Sequence, residues 1–142
     1  MNKLKSFQQV LSFYEQQLQI IQIKFQQQAN VVAEKQHQAQ QLADELANTQ
    51  RQTSQVSPTA SGLEMNNHVM RQIQTCIRAN ETEITEATHR LTECRAELAA
   101  KMSKIDALEK VIESETKKIA HNTRIVEQHL SDERYLNTHF IK

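Results

Sequence analysis

Six histidines and two cysteines are the residues of this 142-residue chain best suited to chemistry. His37, His68, His89, His121, His129 and His139 offer imidazoles for metal ligation or acid–base work, and Cys76 and Cys94 offer thiols. Their spacing supports neither use. No histidine pair stands at i,i+4 with a carboxylate completing a ligand set, and His121 and His129 are two turns apart. The two cysteines are eighteen positions apart, roughly 27 Å along a helix at about 1.5 Å per residue, which no intrachain disulfide spans. They read as reduced, small buried hydrophobes. No serine, cysteine or histidine has a loop environment that would fix a nucleophile beside a base. Catalytic residues, a metal, a cofactor and a small-molecule ligand are all expected to be absent, and no enzyme activity is expected.

The elements that would position any site follow from the apolar spacing. From Met70 the steps of three and four run through Ile73, Ile77, Asn80, Ile84, Ala87, Leu91, Cys94, Leu98, Lys101, Ile105, Leu108, Ile112, Glu115, Ile119, Asn122 and Val126 to His129. Thirteen of these eighteen are apolar, the signature of a coiled-coil seam, because two apolar positions in seven keep one narrow stripe facing a partner helix. The same alternation occupies Leu4, Phe7, Leu11, Tyr14, Leu18, Ile21, Phe25, Gln28, Val32, Lys35, Ala39, Leu42, Leu46 and Thr49. Between the two patterns lie the only proline, Pro58, and the only glycine, Gly62, which end both helices. Ser61 with Glu64 three residues on makes a candidate S-x-x-E cap for the second helix.

Facing residues of an antiparallel hairpin have a constant index sum. Leu46 with Met70 gives 116, Leu42 with Ile73 gives 115, and the alternation continues to Leu4 with Ile112. The expected fold is all-α: a long two-helix antiparallel coiled-coil hairpin with an overhanging C-terminal helix, one domain over 1–142. Helix 1 covers about 3–53, the turn 54–62, and helix 2 about 63–140. The register sets Lys35 against Asn80 and Tyr14 against Lys101, polar layers that penalise slipped pairings.

Beyond Ile112 the first helix runs out, yet Ile119, Ile125, Val126, Leu130, Leu136, Phe140 and Ile141 continue to place apolar groups along the second. Such a stripe implies a partner or self-association. The partner is expected to be protein, since seventeen basic residues balance seventeen acidic ones and leave no field to hold nucleic acid. Lys117, Lys118 and Arg124 are interleaved with Glu113, Glu115 and Glu127. No apolar run is long enough to span a membrane and no secretory leader is evident, so a cytoplasmic protein is expected.

The hairpin length, the longer second helix, the stretch Val69-Met70-Arg71-Gln72-Ile73-Gln74-Thr75-Cys76-Ile77 after the turn and the Ser131-Asp132-Glu133 step near the end resemble the flagellar FliJ and type III secretion YscO stalk family. The resemblance implies a cytoplasmic, non-enzymatic stalk, peripheral to the inner-membrane export apparatus. Members of that family look like the central coiled coil of a rotary ATPase, enter the ring of the export ATPase hexamer and promote its assembly. They also contact the export gate protein and export chaperones. Carried onto this chain, ATPase-contact candidates are Ile119, Val126, Leu130, Asp132, Glu133, Leu136 and Phe140. Export-gate candidates are Val69, Ile73, Cys76 and Asn80. The residues alone leave two other readings open, a structural or tethering coiled coil that self-associates through the overhang, and a holdase that takes clients between its helices.

Overall fold

The computed structural model describes residues 2–55 and 59–140, with side chains through 138. Residues 56–58 at the expected turn, the side chain of Phe140 and Ile141 lie outside that description. The fold is all-α, a coiled-coil helical hairpin: α1 spans Asn2–Gln55 and α2 spans Ala60–Phe140. Both helices reach further into the stretch 54–62 than the breaker residues imply. The cap of α2 explains the difference at its start. The Gly62 backbone N–H donates to Thr59 Oγ1 at 3.2 Å, and the Leu63 N–H donates to the Thr59 carbonyl at 3.0 Å. Thr59 is therefore the N-cap, not Ser61, and the third helical position belongs to Gly62 instead of a capping glutamate. Glycine suits that position because a Cβ there would stand 2.9 Å from the Thr59 hydroxyl.

Packing divides the chain into two units, Met1–Gln19 with Ala99–Lys142, and Ile20–Leu98. Within Ile20–Leu98 the helices run antiparallel. The seam positions of α1 from Ile21 to Thr49 are buried or half-buried, and so are those of α2 from Met70 to Leu98, while the residues between them are largely exposed. Val32, Ile73, Ala87 and Cys94 are the most withdrawn apolar side chains, Ala87 at 1% and Cys94 at 2% exposure. Small residues at those two seam positions let the helices approach, and the covered stripe supplies the hydrophobic stabilisation that neither helix has alone. The polar layer falls where the register puts it. Asn80, 6% exposed, donates Nδ2 to the Lys35 carbonyl oxygen at 3.1 Å, and Lys35 Nζ turns outward to Glu83 Oε2 at 2.7 Å. A buried amide satisfied in one register is left unpaired in a slipped one, which costs about 1–3 kcal/mol and specifies the alignment.

Within the other unit the pairing is also antiparallel, with Leu4, Phe7, Leu11 and Tyr14 of α1 half-buried and Ile105 of α2 buried. Lys101 Nζ sits 4.7 Å over the Tyr14 ring and donates to Gln17 Oε1 at 2.6 Å, so the lysine occupies the seam by giving its stem to the apolar layer and its charge to a π face and an amide. The covered stretch of α2 extends past Ile112. Glu115 and Ile119 are half-buried, with Lys3 Nζ 4.0 Å from Glu115 Oε1. Asn2, Leu4, Lys5, Gln8 and Ile119 line one surface depression. Side chains on both helices lean toward their own N-termini, so α1 covers more of α2 than facing Cα positions suggest. The overhang therefore begins after Ile119 and not after Ile112.

Candidate partner-binding surface

Past Ile119 every described side chain of α2, from Ala120 to Thr138, is exposed. The helix nonetheless continues to Phe140. Arginine, glutamate and leucine keep its propensity high, and the stretch 63–140 contains no glycine or proline to interrupt it. Its apolar groups are Ile125, Val126, Leu130, Tyr135 and Leu136, with Val126 at 57% and Leu136 at 51% exposure.

At about 100° per residue, Val126, Leu130 and Glu133 gather within roughly 40° of Ile119, and Ile125 and Leu136 flank them on one side. The surface is a stripe of branched apolar side chains with one carboxylate inside it. The acidic pair is split: Glu133 falls within the stripe, and its neighbour Asp132, one residue and a quarter-turn away, sits at the margin beside Ile125 and His129, with which it lines a depression. Ile119, Asn122, Thr123, Val126 and Glu127 line another. Both are open hollows between neighbouring helix turns. Of the seven residues assigned to ATPase contact, Val126, Leu130, Asp132, Glu133 and Leu136 are fully available. Ile119 is shared with the start of α1, and Phe140 is placed by its backbone alone.

The four residues assigned to gate contact do not form one surface. Ile73 and Asn80 are seam residues, each 6% exposed, and reach a partner only if α1 leaves. Val69 and Cys76 stand on one rim of the coiled coil, seven residues apart and exposed. Cys76 shares a shallow depression with His68, Arg71, Gln72 and Thr75, where His68 Nε2 stands 3.2 Å from Gln72 Nε2 and Thr75 Oγ1 donates to the Arg71 carbonyl at 2.9 Å. Among the described residues no group of histidine, cysteine, aspartate or glutamate side chains is arranged to hold a metal. No described helix is long and apolar enough to cross a membrane.

Residues 3–140, nearly the whole chain, fit the family described as Flagellar FliJ protein. The chain belongs to the FliJ family. No curated protein and no solved structure matches it. Membership implies a protein associated with flagellar export. The FliJ-type hairpin of this chain carries one cluster of exposed apolar groups past Ile119 on α2, where α1 no longer covers the seam face.

Spacing alone missed three things about these surfaces. The outward apolar residues of α1 lie off the seam: Phe13 in the unit that holds the tail, and Ile20 and Ile23 in the other. The sharing of Ile119 between α1 and the tail depends on side-chain lean. The placement of Asp132 and Glu133 on different faces was available from their adjacency, since neighbours on a helix never face the same way.

Proposed function

We propose that the chain is a non-enzymatic central stalk of a flagellar or type III protein-export ATPase, acting as one coiled-coil hairpin over residues 1–142. On this reading it works in the cytoplasm, peripheral to the inner-membrane export apparatus. It promotes assembly of the ATPase ring and couples that ring to the export gate protein and to export chaperones. The observation that carries the proposal is the apolar stripe Val126, Leu130 and Leu136 on a helix that stays uncovered over about 19 residues, about 29 Å at 1.5 Å per residue. An export-associated family member with an uncovered helix end that carries exposed apolar side chains has the means to insert that end into a protein ring without doing chemistry itself. Val69 and Cys76, on the rim near the start of α2, are the members of the gate-contact set that a partner reaches with the hairpin intact.

The test replaces Leu130 and Leu136 together by aspartate. The expected outcome is unchanged helicity and melting of the isolated chain, with loss of its stimulation of the export ATPase, because a carboxylate forced into an apolar contact costs several kcal/mol while it stays charged. If the same pair instead dissociates a homodimer in sedimentation and leaves ATPase stimulation intact, the chain is a self-associating tether and the stalk reading is wrong.

A further inference from the structure

From Ile119 the steps of three and four continue through Asn122, Val126, His129, Glu133 and Leu136 to Phe140, and the side chains from Asn122 to Leu136 are exposed. Whatever covers this stripe must also satisfy Glu133, because a carboxylate taken out of water without a partner is costly. Among the described residues Glu133 has no such partner within its own chain. A second copy running the other way supplies one. In an antiparallel pair of identical helices facing residues share one index sum, and at 262 Val126 faces Leu136, His129 faces Glu133, and Asn122 comes level with the Phe140 backbone, each contact occurring twice. Leu130, beside the seam, meets its own counterpart across the twofold axis. The apolar groups cover one another, and an imidazole N–H of each copy donates to the carboxylate that the other brings in. Asp132 stands at the solvent margin and stays hydrated. Other arrangements lack this match. A slip of one heptad sets Glu133 against Leu136, or in the other direction sets Leu136 against Ile119, which the start of α1 already covers. A parallel pair in register stacks Glu133 on Glu133, and like charges at facing seam positions disfavour it.

From this complementarity we infer that the tail binds a second copy of this chain, as an antiparallel helix pair over residues 122–140 with its twofold axis at Ser131. The paired stretch lies wholly past Ile119, so each hairpin keeps its own cover. A single helix pair of this length buries little against the ~1,200–2,000 Å² of stable interfaces. The dimer is therefore reversible, and the dilute chain is monomeric. The pairing itself does not depend on the stalk reading, but one consequence rests on it. Self-pairing and insertion into an ATPase ring use the same side chains, Val126, Leu130 and Leu136, so the dimer withholds the tail until a ring displaces the second copy.

The experiment is sedimentation equilibrium of the full chain over a concentration series, with no ATPase present, for the natural sequence, for His129→Glu, and for His129→Glu with Glu133→His. The inference predicts a monomer–dimer equilibrium in the natural chain. His129→Glu sets carboxylate against carboxylate twice and should weaken the dimer by on the order of tenfold or more, whereas the double exchange swaps the two partners across the axis and should restore it. Circular dichroism of the dilute chain should show unchanged melting for each variant, since neither position lies in the hairpin. Orientation is read in a background of Cys76→Ser and Cys94→Ala, where a mixture of the Val126→Cys and Leu136→Cys chains should form the mixed disulfide in preference to either symmetric one. A chain that stays monomeric throughout the series overturns the inference. So does a dimer that His129→Glu leaves unchanged, or one that gives the symmetric disulfides. Leu130→Asp with Leu136→Asp separates the two readings: loss of the dimer with ATPase stimulation intact keeps the pairing and removes the stalk, and loss of stimulation with the dimer intact keeps the stalk and removes the pairing.

Discussion

The stretch of α2 from Met70 to Leu98 and the stretch from Ala120 to Thr138 carry similar kinds of residue at similar spacing, and solvent treats them in opposite ways. In the first, Ile73, Ala87 and Cys94 are withdrawn from water by α1; in the second, Val126, Leu130 and Leu136 are 57%, 48% and 51% exposed. The difference lies in what is available to cover them and not in the helix itself, which is continuous through both. Apolar spacing of three and four therefore specifies a stripe, and only the length of the neighbouring helix decides whether that stripe is covered or left to solvent. The first stretch should answer to mutation in stability, the second in binding.

The largest effect that would sharpen this contrast comes from Ala87→Asp. Ala87 is 1% exposed in the seam, so the carboxylate has neither water nor a partner, and the hairpin should lose roughly 3–5 kcal/mol, the range for an uncompensated buried charge. Chemical denaturation followed by circular dichroism reads it directly. A loss below about 1 kcal/mol would mean that the seam opens readily and that burial distinguishes the two stretches poorly.

A smaller change at the start of α2 sets the scale between them. Thr59→Ala removes the hydroxyl that accepts the Gly62 N–H at 3.2 Å and touches neither seam nor tail. The expected cost is about 1 kcal/mol, the usual value for an N-cap. If Ser61→Ala costs more than Thr59→Ala under the same denaturation, the cap lies two residues further on than the hydrogen bonds place it.

Much of the fold was legible because a coiled coil writes its contacts in one dimension. The constant index sum brought Lys35 to Asn80 and Tyr14 to Lys101 before any coordinates, and both contacts are present in the structure. Three features resisted that reading for physical reasons. The extent of cover to Ile119 depends on side chains leaning toward the N-terminus of each helix, which an index sum of Cα positions ignores. The cap moved from Ser61 to Thr59 because a capping motif marks a possible start, whereas the start used is the one whose hydroxyl reaches a free N–H, and Gly62 leaves room for it. The candidate surfaces were legible only in part. Ile73 and Asn80 lie on the seam by the same spacing that found the hairpin, so their unavailability followed from the register.

The measurement that tests the central claim most directly sets one seam variant beside one tail variant and reads two quantities on each. Ile105→Ala truncates a buried side chain of the paired region and should cost about 2 kcal/mol, near the low end for core truncations because a two-helix seam is partly solvated. If the chain is the stalk proposed above, Ile105→Ala should leave affinity for the export ATPase unchanged at a temperature where the variant is folded. Leu130→Ala with Leu136→Ala should shift stability by no more than about 0.5 kcal/mol and weaken that affinity at least tenfold. A crossed pattern of this kind is the predicted result. If the tail pair costs as much stability as Ile105→Ala and leaves binding untouched, the tail is part of the folded core and the account of the molecule is contradicted.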